Sequence, residues 1–175
     1  MAGLVLAALT ATPEAARSER SPFRIRDLNP MHAASVERAL SGAALLLDSA
    51  ECRRIFADFR DGAGAPLRDR LDGLGVSAPD YLTLVVFTDG SALRACHGTD
   101  VMAVTAPGSR VVRVCGPRFS AAQARNSELA ELVVLHEALH TLGLGENPPD
   151  SLEITRRVGE RCSGRGGGAL RGRSD

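Results

Sequence analysis

Leu129-Ala-Glu-Leu-Val-Val-Leu-His136-Glu137-Ala-Leu-His140-Thr-Leu-Gly143 is the stretch on which the reading of this chain turns. Leu129, Leu132, Val133, His136, His140 and Gly143 follow helical spacing, so the histidines continue an apolar stripe instead of pointing into solvent. At about 100° per residue, side chains four apart lie one turn apart on the same face. Two imidazoles so placed can grip one ion. A third ligand would leave one corner of a zinc tetrahedron open to water, which marks a catalytic site and not a structural one. Glu137 lies too far round the helix to join the pincer, but it is placed to take a proton from water activated at the ion.

The helix has two candidate starts. Ser120 to Gln123 reads as a capping box, while Asn126 or Ser127 could begin it directly, with Glu128 and Glu131 favouring the positive end of the dipole. Its end is better marked. Gly143 and Gly145 follow the second histidine and Pro148-Pro149 forbids continuation, so the chain turns just past His140 and returns the next side chains toward it.

With that turn included, the run resembles the zincin metallopeptidases, most closely the metzincin pattern H-E-x-x-H-x-x-G-x-x-H. His136, Glu137, His140 and Gly143 match it, and Glu146 stands where the third histidine would be. The stretch from His140 to Pro149 also resembles one in small bacterial proteins assigned only provisionally as metallopeptidases. The resemblance implies a Zn²⁺ peptidase acting on a peptide or protein substrate, with His136, His140 and Glu146 as metal ligands and Glu137 as general base. It also implies an α+β, zincin-like fold: a small mixed sheet packed on the metal-binding helix, with an edge strand beside the cleft. A carboxylate is an acceptable zinc ligand in place of imidazole.

Two departures bear on that reading. Metzincins place a methionine turn beneath the metal, and no methionine follows Met102 here. Other zincins take the third ligand from a later helix, where Glu153 and Glu160 are predicted to lie, and the distance from His140 to Glu160 is similar to that of the thermolysin-like branch. Glu146 is preferred because the glycine before it permits a tight approach. Glu153 and Glu160 stand as alternatives.

The chain has 175 residues, a net charge of +0 and 44% hydrophobic content, enough for one packed domain. Its 21 basic residues are all arginine and only 3% of residues are aromatic, so no basic or stacking footprint for nucleic acid is present. Cys52, Cys96, Cys115 and Cys162 lack C-x-x-C spacing, which favours two disulfides over a zinc knuckle or four buried thiols. Four cysteines allow three connectivities; in one, Cys96 with Cys115 could cross-link adjacent strands, leaving Cys52 with Cys162 to tie the last helix to an early one. Met1 to Ala11 resembles the apolar part of a signal peptide, without a preceding Arg or Lys, and is too short to span a bilayer. Secretion or a periplasmic setting is the expectation, a cytoplasmic thiol protein the competing one.

The expected organisation is a partial leader over 1–20, a single catalytic domain over 21–163 and a disordered low-complexity tail over 164–175. Helices are predicted over Ser35–Leu47, Ala50–Phe59 and Pro66–Leu74. Strands are predicted over Tyr81–Phe87, Leu93–Cys96, Val101–Val104 and Val111–Cys115, with Val111–Cys115 a candidate for the substrate-binding edge. His97 and Tyr81 are candidates for steadying an oxyanion. The protein is expected to be a monomer. The rival from another class is a non-catalytic extracellular binding protein stapled by metal and disulfides. A metal-dependent nuclease is disfavoured by the charge balance.

Overall fold

A computed structural model describes residues 21–146 and 148–163; the expected leader and tail lie outside the described residues. The chain is α+β. Its sheet has the order β1-β2-β4-β3, with β1 Arg24–Arg26, β2 Val86–Asp89, β3 Ala103–Thr105 and β4 Val111–Val114. β1, β2 and β4 are parallel, and β3 runs antiparallel to β4 with Val104 opposite Arg113.

Helix α1 (Pro30–Leu47) makes the crossover from β1 toward β2. Asn29 caps it by accepting from His32 N, and Pro30 fits the first turn because its φ is already helical. The prediction that began this helix at Ser35 overlooked that pair. Helices α2 (Ala50–Arg53) and α3 (Ile55–Asp58) replace the single helix expected over 50–59, and α4 covers Leu67–Asp72. Helix α5 (Ala78–Tyr81), α6 (Gly116–Arg125), α7 (Ser127–Thr141) and α8 (Ser151–Cys162) complete the set. The side chain of Asn126 accepts from Leu129 N and starts α7; the alternative start at Ser120 falls inside α6.

Three strand expectations are corrected. Tyr81–Phe87 is not one strand: Ser77 caps a helical turn by accepting from Asp80 N, so the chain stays helical through Tyr81, passes a 3₁₀ turn and becomes extended at Val86. Leu93–Cys96 gives way to a 3₁₀ turn over Arg94–His97, where Cys96 is tied by a disulfide and not by a ladder. Val111–Cys115 is not the edge, because β4 is paired on both sides; the edge beside the site is β3, displaced from the expected Val101–Val104. A charged three-residue strand such as β1 shows no alternation in sequence and was not anticipated.

One hydrophobic cluster runs through the described residues. Val36, Ala39, Leu40, Ala43 and Leu47 of α1 join Ala130, Val134, Leu135, Ala138 and Leu139 of α7, Phe87 and Val112 of the sheet, and Ile154 and Val158 of α8. Each fully buried leucine there contributes on the order of 2 kcal/mol. Among the described residues, no helix is long and apolar enough to cross a membrane.

Both expected cysteine pairs are present. Cys52–Cys162 joins α2 to α8 across 110 residues, and Cys96–Cys115 joins a 3₁₀ turn to the start of α6 across 19. The second bridge was expected between strands. On chain-entropy grounds the longer loop stabilises the fold by about 5 kcal/mol and the shorter by about 3. Urea unfolding of the two double Cys→Ser variants should therefore show the larger loss for Cys52→Ser/Cys162→Ser.

Candidate metal centre

Residues 134–141 of α7 are buried without a break, so the two histidines sit among covered side chains. His136 is 6% exposed and His140 4%. Their Nε2 atoms face each other at 3.0 Å. Each ring is held from behind. His140 Nδ1 donates to the Leu144 carbonyl at 2.8 Å, and His136 Nδ1 shares a hydrogen bond with Thr155 Oγ1 of α8 at 3.0 Å. A carbonyl only accepts, so the His140 proton resides on Nδ1 and Nε2 presents its lone pair to the site.

The Leu144 carbonyl is delivered by the helix end. Leu144 N donates to Leu139 O and Gly143 N to His140 O, the two bonds of a Schellman cap. Gly143 has φ +109°, and a Cβ there would lie 3.2 Å from Asp61 Cβ, so a glycine is required on two counts. Just past the cap, Glu146 turns back. Its Oε1 lies 3.4 Å from His140 Nε2 and 3.8 Å from His136 Nε2, with the side chain 43% exposed.

These three atoms form a triangle with edges of 3.0, 3.4 and 3.8 Å. Ligands about 2.0–2.1 Å from a tetrahedral Zn²⁺ stand about 3.3 Å apart, so one ion could be held with little movement. Among the described residues, His136, His140 and Glu146 are the group of ligating side chains that could hold a metal. Burial, and then the charge of His140, pushes the His136 pKa down to about 4, so the ring is neutral near pH 7, as a metal ligand must be.

Glu137 is also buried, at 6% exposed, and burial pushes its carboxyl up from the usual range. Thr105 on β3 is near enough to favour the anion, yet neither Thr105 Oγ1 nor Glu137 Oε2 closes a hydrogen bond within the protein. An unpartnered buried carboxylate oxygen is costly to keep. Glu137, His136, His140 and Glu146 line a cleft of ≈ 760 Å³. One wall comes from Ala95 and Asp100–Thr105, the other from Leu129, Val133, Leu152 and Thr155 of α7 and α8.

The other candidates lie elsewhere. Glu153 and Glu160 both pair with Arg156 on a stripe of α8 away from Thr155. Exposed His97 points Nε2 at the Ser91 carbonyl, 3.2 Å away, and does not line the cleft. Tyr81 is fully buried behind α7, its hydroxyl 2.7 Å from Thr141 Oγ1. Sequence reasoning missed Thr155 and the Leu144 carbonyl: no spacing rule links residue 136 to residue 155, and a main-chain acceptor leaves no mark in side-chain identity.

Compared with known proteins, the chain matches no family model, no curated protein and no solved structure.

The lowered His136 pKa fixes a pH response of the metal-free protein. Above pH 6.5 the ring is neutral in both folded and unfolded chains; as pH falls from 6.5 toward 4, the unfolded chain takes up a proton that the folded chain refuses. Stability is lost across that window, by about 3 kcal/mol for this one group. Melting curves in chelator should show a shallower acid decline for His136→Asn than for wild type.

Proposed function

We propose that this chain is a zinc-dependent peptidase of the zincin type, with Zn²⁺ held by His136, His140 and Glu146. The observation that carries the reading is the 3.0 Å approach of two Nε2 atoms, each ring locked from behind, with a carboxylate oxygen completing the triangle. When bound, Zn²⁺ supplies the charge that polarises an amide carbonyl and makes water acidic near neutral pH.

The chain's own residues do the rest. Glu137 accepts the proton of the attacking water and passes it to the departing amine, a task suited to a carboxyl whose pKa burial has raised. Among the described residues the outer side of β3 bears no strand, so an extended substrate backbone can add to the sheet there and lie across the histidine pair. The two disulfides support a secreted or periplasmic site of action.

The rival is a binding protein in which the ion only ties α7 to the loop bearing Glu146. Glu137 separates the two readings, since a stapled binder has no use for a buried carboxylate aimed into a cleft. Purified wild type is expected to carry one zinc per chain by mass spectrometry, Glu146→Ala to be depleted and Glu160→Ala to match wild type. Glu137→Gln should keep its zinc while kcat on peptides falls at least about a hundredfold. Retained zinc with undiminished hydrolysis in Glu137→Gln would eliminate the mechanism.

A further inference from the structure

We propose that Arg118 and the Cys96–Cys115 disulfide are positioning residues that together hold residues 91–101 as the outer wall of the cleft. The site they shape is the one read above as a peptidase, and the kinetic part of the inference rests on that reading. Ala95, Asp100 and Val101 from this segment line the cleft, and Met102 and β3 follow directly.

The segment has little else to hold it. Residues 91–95 and 97–100 are exposed, and between Phe87 and Val112 the apolar side chains packed on the core are Met102 and Ala103. Apart from the Arg118 contacts, the side-chain hydrogen bonds of 91–101 among the described residues are Ser91 to Asp89 and His97 to the Ser91 carbonyl, the latter spanning six residues. The main-chain bonds to Leu93, Cys96 and Gly98 are equally local. Such bonds set the shape of a loop but cannot fix it to the body of the protein.

Two connections do fix it, and both leave the same place. Cys115, 2% exposed, ends β4 and begins α6; one turn on, half-buried Arg118 reaches back from α6. The disulfide takes hold of Cys96. Arg118 Nη1 donates to the Cys96 carbonyl at 2.9 Å and to the Val101 carbonyl at 3.3 Å, bracketing the stretch that carries Asp100. A single guanidinium nitrogen thus closes the loop that the disulfide anchors, and α6 itself packs against α1 and α7. The metal triangle is built from other elements, α7 and the turn after it.

The clamp therefore governs how the substrate-binding wall is presented and leaves the metal ligands alone. Hydrogen exchange read by mass spectrometry on the full chain tests this in wild type, Arg118→Ala, Arg118→Lys and Cys96→Ser/Cys115→Ser. Amides of 91–101 should exchange about tenfold faster in Arg118→Ala and in the double Ser variant, with α7 unchanged and Arg118→Lys intermediate. Zinc content should stay at the wild-type level. On a peptide substrate, KM should rise about fivefold while kcat stays within about twofold. Unchanged exchange in 91–101, or acceleration spread through α7 and the sheet, would overturn the proposal. If wild type cleaves no peptide, the peptidase reading fails, yet exchange and zinc content still decide whether the clamp exists.

Discussion

Two buried ring nitrogens 3.0 Å apart are the constraint around which this fold is arranged. With His140 Nε2 unprotonated, His136 must either donate a proton to it or share a cation with it. Both solutions require that neither ring rotate away. The protein secures this with a carbonyl from the helix cap on one side and a threonine from the last helix on the other. Helix α8 is in turn bound to the body of the protein by Cys52–Cys162, by Arg161 to Asp58 and by Arg157, whose guanidinium lies over the Phe59 ring at 4.4 Å. The orientation of one imidazole is thus linked to packing on the far side of the molecule.

Helix α7 was legible as a helix because its apolar residues recur at helical spacing and its end is punctuated by glycine. Its setting was less legible. A single apolar stripe predicts one wet face, whereas residues 134–141 are all buried, with α7 packed against α1, α6, α8 and β3, leaving only a cleft beside His136, Glu137 and His140. Glu137 shows the difference: its place off the stripe allows a base beside the ion, but its burial, 6% exposed with Thr105 of β3 nearby, depends on tertiary packing. That enclosure raises the carboxyl pKa, a property no one-dimensional pattern contains.

Elements set by local chemistry were read well, and those set by distant partners poorly. That the cysteines pair follows from their count and the lack of C-x-x-C spacing, though not which of three connectivities forms, and the turn after His140 from Gly143 and the two prolines. The stretch around Cys96 has the apolar content of a strand, yet a covalent bond and an arginine from α6 hold it as a 3₁₀ turn. Likewise Tyr81 to Leu84 have strand composition, but Ser77 and Pro79 commit the backbone to helical turns first. Glu146 could be singled out because it follows the turn closely, whereas Thr155 depends on how α8 is laid against α7.

The Cys52–Cys162 bond encircles nearly everything described above, since every strand except β1, and every helix from α3 to α7, lies between its two ends. A peptide bond hydrolysed anywhere within that span leaves both fragments joined through sulfur. A cut in the exposed 91–100 stretch thus yields a two-piece molecule that stays assembled, with His136, His140 and Glu146 on one fragment.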